Sequence, residues 1–226
     1  MVTRGVVFDL DDTLYLERDY VWSGFNHVAT LVATSPADAG AIADWLWSRF
    51  EDGVRGDTFD RLLASHPDLA TRVTAAPLID AYRNHRPSIS LLPGAAQLVE
   101  RLRRSGTRLG ILSDGPLASQ VAKADALRLQ EWFDPILLTE SRQPQFRKPD
   151  TGGFEWIAAT WDIPHEELAY LADNPSKDFV GPRRLGWRTV RIRVPGQLTF
   201  ALDPVDDVHR PDVEVADLTA AGTLFR

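Results

Sequence analysis

The sequence predicts an α/β fold: a doubly wound, Rossmann-like parallel sheet with a smaller α-helical domain inserted after its first strand. Short apolar runs alternate with segments of helical periodicity, which is the pattern of βαβ units. Several of these runs end abruptly at a polar residue, as buried strands of parallel sheets do at their carboxyl ends. One long stretch near the amino terminus has helical spacing and no strand-like run, and we interpret it as the insert.

Five apolar runs are predicted to be strands of the sheet, and a short edge strand is expected near the carboxyl terminus. The runs cover residues 6–8, 109–112, 136–138, 168–172 and 189–192, and the edge strand covers 212–215. Helices are predicted between the strands at 95–104, 117–127, 153–161 and 177–185. These alternations predict an α/β core of residues 1–15 and 90–226 and a helical cap of residues 16–89.

Composition excludes several classes of function. The 226-residue chain has no cysteine, which excludes disulfides, thiolate zinc sites and a cysteine nucleophile. Its net charge of −7 argues against a nucleic-acid polymer or an anionic membrane as partner. No apolar run is long enough to span a bilayer, and the first apolar stretch is too short for a signal peptide, so we expect a cytoplasmic protein. Basic residues are mostly arginine, and the lysines are Lys123, Lys148 and Lys177.

The segment after the first predicted strand concentrates negative charge. Asp9, Asp11 and Asp12 lie within four residues and are followed by Thr13. Like charges at this spacing repel each other, so something must compensate them. A divalent cation is the simplest candidate, since Mg²⁺ prefers carboxylate, carbonyl and water oxygens. An acidic turn without an ion is the structural alternative.

Three further polar sites follow later strands or loops. Ser113-Asp114-Gly115 offers a hydroxyl and backbone amides to a phosphate, although it also fits a helix N-cap. Lys148, before a proline, offers a compact positive charge, although a lone lysine is usually solvated. Asp173-Asn174 and Asp178 follow another strand and would otherwise only cap a helix. Because the carboxyl ends of parallel strands share one edge, the four sites are far stronger evidence together than separately.

In this order the four sites resemble the motifs of the haloacid dehalogenase (HAD) superfamily. The resemblance covers residues 1–15 and 90–195, and the helical insert is similar in position to the superfamily's type-one cap. Residues 7–14 look like the first motif, Ser113 matches the second, Lys148 the third, and Asp173 with Asp178 the fourth. One departure is Asp114, where the second motif more often has asparagine. We expect its side chain to turn away from a phosphate and to bond a backbone amide.

The resemblance implies roles for these residues. Asp9 would be the nucleophile that forms an aspartyl-phosphate, and Asp11 would protonate the leaving oxygen and then activate water. Mg²⁺ would be held by the Asp9 carboxylate, the Asp11 backbone carbonyl and Asp173. The transferring phosphoryl group would be held by Ser113, Asp114 through its backbone amide, and Lys148. Supporting contacts would come from Thr13, Asn174 and Asp178, the last of which would orient Lys148 or a metal-bound water.

The function implied is a Mg²⁺-dependent phosphohydrolase that acts on a small phosphorylated metabolite. Asp11 favours phosphate esters over the true dehalogenases of the superfamily, which lack a carboxylate there and use no magnesium. A sugar phosphate, a nucleoside monophosphate or a similar compound fits equally. Candidate contacts to it are Arg55, at the end of a cap helix, and five residues near the hinge: Tyr15, Glu17, Arg18, Tyr20 and Trp22. The oligomeric state is left open.

Three other functions fit parts of this pattern. A phosphomutase of the same superfamily would share Asp9 and Asp11 but return the phosphoryl group to a sugar. A non-enzymatic phosphoacceptor, like a signalling receiver domain, also pairs acidic residues with a hydroxyl and a lysine. The insert and the position of Asp9 after the first strand argue against a receiver. A catalytically silent binding protein is disfavoured because every predicted catalytic position is filled.

Overall fold

A computed structural model describes residues 2–225 and contains a six-stranded sheet in which all strand pairs are parallel. The predicted doubly wound α/β class is confirmed by the strand order β3-β2-β1-β4-β5-β6. The strands β1 and β4 are buried along their whole length, which explains why they read as unbroken apolar runs. The strands are β1 Gly5–Phe8, β2 Arg108–Ser113, β3 Ile136–Leu138, β4 Leu168–Ala172, β5 Arg188–Ile192 and β6 Val213–Val215.

The strand order places three polar segments at one edge of the sheet. β1 lies between β2 and β4, and Phe8 is aligned with Ile111 on one side and with Leu171 on the other. The chain adds β2 and β3 on one side of β1 and then crosses over to add β4, β5 and β6 on the other side. Open α/β sheets bind ligands at such a switch point, which here lies between β1 and β4. The segments that follow β1, β2 and β4 begin with Asp9, Asp114 and Asp173 and lie side by side.

The described part of the chain has ten α-helices. Six of them lie between β1 and β2, and five of these form the helical insert that was predicted after the first strand. The contacts divide the chain into a sheet unit, residues 1–18 with 89–226, and a helical unit, residues 19–88. The helices are α1 Glu17–Val32, α2 Pro36–Glu51, α3 Thr58–Ser65, α4 Pro67–Ala70, α5 Ala75–Asn84, α6 Ala95–Arg104, α7 Leu117–Ala126, α8 Gly152–Trp161, α9 Val180–Arg184 and α10 Leu218–Ala221.

The helix expected over 177–185 is shorter than predicted, and two helices were not predicted. The segment before α9 is a turn because the Asn174 side chain accepts a hydrogen bond from the Ser176 amide and Asp178 accepts one from the Asn174 amide. The unpredicted helices α4 and α10 have four residues each, too few to show a helical period. Across residues 2–225, no helix has the length and hydropathy needed to cross a membrane.

Each unit has its own apolar core. In the sheet unit, α8 packs Phe154, Ile157 and Trp161 against strand residues that include Val7 and Tyr170. In the helical unit, α1, α2 and α3 bury an interior that includes Phe25, Leu46 and Leu62. The helix α2 begins with a complete N-cap, since Ser35 accepts a hydrogen bond from the Asp38 amide and Pro36 occupies the first turn.

Two strand glycines make room for one large side chain. The indole of Trp161 lies against β1 and β2 and donates a hydrogen bond to the Asp134 carbonyl at 3.0 Å. A Cβ at Gly110 would lie 2.9 Å from this ring, and a Cβ at Gly5 would lie 2.8 Å from it. Glycine is therefore required at both positions by the close approach of the helix α8 to the sheet.

The contrast between two glycines gives a test of this packing. Gly110→Ala should lower the free energy of unfolding by about 1–3 kcal/mol, since its methyl group overlaps a buried ring. The matched control is Gly40→Ala in α2, where no atom lies within 4 Å of the new Cβ, so it should raise stability by about 0.5–1 kcal/mol. Denaturant unfolding measures both, and equal effects of the two substitutions would contradict the packing described.

Candidate active site

A buried lysine lies at the centre of the site. The Nζ of Lys148 is 2.8 Å from Asp9 Oδ1 and 2.8 Å from Asp178 Oδ1, and it donates a hydrogen bond to the Tyr170 hydroxyl at 3.0 Å. The Lys148 side chain has no exposed area. Although burial alone would lower the pKa of Lys148, the carboxylates of Asp178 and Asp9 raise it well above its ordinary value. The ammonium therefore stays charged and holds two loops together.

Asp173 completes a cluster of three buried carboxylates, which we call the acidic cluster: Asp9, Asp173 and Asp178. One carboxylate oxygen from each lies within 4.8 Å of the others. Burial raises the pKa of Asp9 to about 6 even though Lys148 lowers it, and burial together with Asp178 and Asp9 raises the pKa of Asp173 well above its ordinary value. Three acids around one ammonium leave excess negative charge, so the donor set fits a hard divalent cation.

Neutral donors and a buried arginine fix Asp173. Its two carboxylate oxygens accept hydrogen bonds from the hydroxyls of Thr13, at 3.2 Å, and Thr199. Its backbone carbonyl accepts one from Nε of Arg191, at 2.9 Å, and this guanidinium is fully buried in β5. Arg191 also donates to the Thr199 carbonyl at 3.0 Å, so it fixes both the acid and one of its supports.

The loop after β2 presents groups suited to an anion. The Ser113 hydroxyl is buried and finds no hydrogen-bond partner within residues 2–225, which is costly unless a ligand or water supplies one. The carboxylate of Asp114 accepts a hydrogen bond from the Thr139 hydroxyl at 2.7 Å and lies 4.0 Å from Nζ of Lys177. Its partners are thus a hydroxyl and an ammonium rather than the backbone amide that we expected.

The other two acids of the first motif are directed elsewhere. The Asp11 carboxylate accepts hydrogen bonds from Lys123 at 2.6 Å, Gln120 at 2.7 Å and the Tyr15 hydroxyl. Burial would raise the pKa of Asp11, but these donors, led by Lys123, hold it below its ordinary value. The negative charge of Asp11 is therefore compensated by Lys123, whereas Asp9 shares Lys148 with Asp178. Asp11 also lies outside the acidic cluster.

Asp12 serves the turn that follows β1. Its φ of 54° is in the left-handed region, and its carboxylate accepts hydrogen bonds from the backbone amides of Glu17 and Leu198. Its own carbonyl accepts one from the Gln197 side chain at 2.6 Å. The three closely spaced carboxylates of the first motif thus have three different partners, and a cation would compensate only Asp9 among them through the side chain.

Comparison with models of protein families assigns this chain to a family. The model described as a haloacid dehalogenase-like hydrolase matches residues 3–186, which is most of the chain. The chain belongs to the haloacid dehalogenase-like hydrolase family. The superfamily resemblance of the four motifs is therefore confirmed.

Individual relatives of this HAD-like hydrolase agree with the family assignment. It is 27% identical over 206 residues to a glyceraldehyde 3-phosphate phosphatase of Methanocaldococcus jannaschii, with 84% of each chain covered. It is 31% identical over 144 residues to a phosphoserine phosphatase of Thermus thermophilus, covering 64% of this chain and 55% of the relative. Its fold is similar to that of the HAD-hydrolase YfnB of Bacillus subtilis bound to magnesium, at 20% identity, a TM-score of 0.67 and full coverage of both chains.

The sequence-predicted residues of this HAD-like hydrolase are only partly brought together. Asp9, Lys148, Asp173 and Asp178 meet, with Thr13 hydrogen-bonded to Asp173. The Asp11 side chain, predicted to act as acid and base, points to α7 and lies outside the acidic cluster. Its predicted role as a metal ligand is through the backbone carbonyl and stays a prediction. Ser113 and Asp114 lie at the end of the neighbouring strand, and the Asn174 side chain is used within its own turn.

Several residues that support the site were missed by the sequence analysis. Lys123, Gln120, Tyr170, Arg191 and Thr199 lie in no family motif, and only the fold brings them to Asp11, Lys148 or Asp173. One signal was available, namely that lysine is rare in this chain. The chain has three lysines, and each lies beside a motif aspartate: Lys123 beside Asp11, Lys148 beside Asp9, and Lys177 beside Asp114.

The raised carboxylate pKa values predict a pH-dependent cost to the metal-free protein. Folded Asp173 retains its proton at pH values where the unfolded chain, with a pKa near 3.8, has already lost it. Stability therefore falls as the pH rises above about 4, up to the folded pKa. In EDTA, Asp173→Asn should raise the melting temperature more at pH 8 than at pH 5, by at least about 2 °C.

The control for this comparison is Asp44→Asn, which replaces an exposed aspartate of α2. Its melting temperature should differ from that of the wild type by the same amount at both pH values. If Asp173→Asn behaved like this control, or stabilised the protein more at pH 5, burial would not be the origin of the shift.

Proposed function

We propose that this chain is a Mg²⁺-dependent phosphohydrolase that cleaves small phosphate monoesters through an aspartyl-phosphate on Asp9. The observation that carries the proposal is the acidic cluster, in which Asp9 lies against one buried ammonium and two further carboxylates. An anionic ester approaches an anionic nucleophile only where positive charge is available, and here the positive charge in contact with Asp9 is that of Lys148. Relatives that are phosphatases support the same reaction class.

The donors present fit magnesium. The carboxylates of Asp9 and Asp173 and the backbone carbonyl of Asp11 would hold it, and Asp178 lies close enough to contribute directly or through water. When bound, the ion neutralises charge on the cluster and on the phosphoryl oxygens. Thr13 and Thr199 fix Asp173 for this task, as partners of metal ligands do in other sites.

The residues of the chain divide the reaction between them. In this structure Asp11 is ionised and paired with Lys123, so it would first leave that ion pair and take up a proton. A carboxylate oxygen of Asp9 attacks phosphorus while the bond from phosphorus to the ester oxygen breaks, and the protonated Asp11 gives its proton to that oxygen so that an alcohol leaves. Asp11, now ionised, takes a proton from water, which attacks the aspartyl-phosphate and releases inorganic phosphate. Lys148, Ser113 and the amides beside it hold the phosphoryl oxygens throughout.

Small three-carbon phosphates are the substrates to test first. The named substrates of the two relatives, glyceraldehyde 3-phosphate and phosphoserine, are both phosphate monoesters of three-carbon compounds. Sugar phosphates and nucleoside monophosphates belong in the same panel. A phosphomutase is the second candidate, because Asp9 and Asp11 serve that reaction equally. Release of inorganic phosphate without a bisphosphate activator distinguishes the hydrolase.

Activity measurements test this proposal. Purified protein should release phosphate from p-nitrophenyl phosphate and from at least one panel substrate with Mg²⁺, and EDTA should abolish the release. Asp9→Asn should lower kcat by at least about 1,000-fold, since no nucleophile remains. The matched control is Asp44→Asn, an exposed position that should retain wild-type activity. Turnover that EDTA does not affect, or an Asp9→Asn variant as active as the control, would contradict the proposal.

A further inference from the structure

A partly exposed lysine reaches across the carboxyl end of β1. Lys177 lies in the turn that follows β4, and its Nζ is 4.0 Å from Asp114 Oδ2 in the loop that follows β2. The strand between β2 and β4 is β1, and adjacent strands lie about 4.8 Å apart, so this side chain crosses the end of β1. The residue that follows β1 is Asp9, the proposed nucleophile. Lys177 therefore brings an ammonium group to the mouth of the site.

The ammonium of Lys177 is available to a ligand, unlike those of the other two lysines. Lys123 and Lys148 are buried, and each lies within 2.8 Å of a carboxylate oxygen. The Lys177 side chain is 35% exposed, and among residues 2–225 its one ion-pair partner is Asp114 at 4.0 Å. That separation is too long for a hydrogen bond, so the three donors of this ammonium face solvent or a ligand.

The charge of Lys177 acts on the acidic cluster. Burial raises the pKa of Asp9, while both Lys148 and Lys177 lower it. Repulsion from Lys148, together with burial, lowers the pKa of Lys177. The surrounding carboxylates outweigh both effects and raise it above its ordinary value, so Lys177 is charged. The two ammonium groups thus repel each other across the end of β1, and an anion between them would relieve that repulsion.

Groups suited to an anion lie on both sides of this point. The residue before Asp114 is Ser113, whose buried hydroxyl finds no hydrogen-bond partner within residues 2–225. The residue after Lys177 is Asp178, which contacts Lys148 at 2.8 Å. Lys177 therefore lies between the unpartnered hydroxyl and the buried ammonium, and its own charge adds to theirs.

Asp114 holds the Lys177 ammonium in this place. Its carboxylate accepts a hydrogen bond from the Thr139 hydroxyl at 2.7 Å, and its side chain is 17% exposed. A carboxylate next to a phosphate site would repel the phosphate, and Lys177 compensates this charge. The pair therefore leaves the mouth of the site acceptable to an anion.

We propose that Lys177 is a substrate-binding residue that, together with Lys148, holds the phosphoryl group of the ester between two ammonium groups. This inference rests on the proposed function. Lys148 is buried against Asp9, so it meets the phosphoryl group from within the site, whereas Lys177 meets it from the exposed side. Two cations favour an ester phosphate with two negative charges, and a phosphate monoester carries two near neutral pH.

Inorganic phosphate, the product of the proposed reaction, is the probe for this contact. In Lys177→Met, the inhibition constant of phosphate and the KM for p-nitrophenyl phosphate should each rise by at least about 10-fold, since a charge-assisted hydrogen bond is lost. Because this contact holds substrate and transition state alike, kcat should change by less than about 5-fold. The matched control is Arg104→Met, which removes an exposed ion pair with Glu100 on α6 and should change none of these constants.

A double variant separates contact with the phosphate from mere compensation of Asp114. Lys177→Met leaves the Asp114 carboxylate without its nearby cation, and Asp114→Asn removes the resulting repulsion. If Lys177 also contacts the phosphate, the double variant should bind phosphate at least about 5-fold more weakly than Asp114→Asn alone. If the double variant and Asp114→Asn bind it equally well, Lys177 only neutralises Asp114 and the inference is wrong.

The outcomes distinguish this inference from the proposed function. If wild-type protein hydrolyses no ester with Mg²⁺, the proposed function fails, and the assignment of Lys177 as a substrate-binding residue fails with it. If wild type is active but phosphate inhibits it and folded Lys177→Met equally, or Lys177→Met loses kcat with KM unchanged, only the role of Lys177 is overturned. Melting temperatures identify any variant that is unfolded.

Discussion

At the edge of the sheet where β1 and β4 end, three buried carboxylates surround one buried ammonium, that of Lys148. This charge imbalance determines what the site can bind. Lys148 pairs with Asp9 and Asp178, while Asp173 is held by hydroxyl groups that carry no charge. Leaving a carboxylate in a buried site without a counter-charge is expensive, so such a group either keeps its proton or binds a cation. A site built in this way is unfavourable when empty, which supports the proposal that it binds a divalent ion.

The sheet topology creates this imbalance. Thr13 and Asp173, which are 160 positions apart in the sequence, are brought together because β1 lies beside β4 and the two strands are parallel. The supports come from still further along the chain, since Arg191 and Thr199 follow from β5 and the loop after it. The fold therefore places the proposed nucleophile Asp9, its partner Lys148, and the pair Asp173 and Asp178 on three separate segments of the chain.

The three carboxylates of the first motif have different partners. Asp9 joins the acidic cluster, Asp11 is held by donors from α7, and Asp12 closes a turn through backbone amides. The low pKa of Asp11 and the raised pKa of Asp9 follow from these different partners, although the two residues are only two positions apart. Sequence spacing alone does not reveal this division, because all three residues look alike as an acidic run.

Much of the fold was predictable because buried parallel strands read as short apolar runs. The strands at 136–138 and 168–172 have the predicted bounds, and the others differ by one residue at one end or, for β2, at both. The motif residues Asp9, Lys148 and Asp173 were found because each follows a strand or lies in a loop of typical sequence. Lys123 was not assigned a role because it lies 112 residues from Asp11 and inside a helix, where only tertiary packing decides its partner. Arg191 was hidden for the same reason, as a charged residue within a predicted strand.

Calorimetric titration of Mg²⁺ into the metal-free protein tests the central claim most directly, since it measures whether the excess charge of the acidic cluster recruits a cation. The account predicts one ion bound per chain, with affinity at least about 100-fold weaker in Asp173→Asn. Wild-type protein that binds no Mg²⁺, or an Asp173→Asn variant that binds it equally well, would contradict the account.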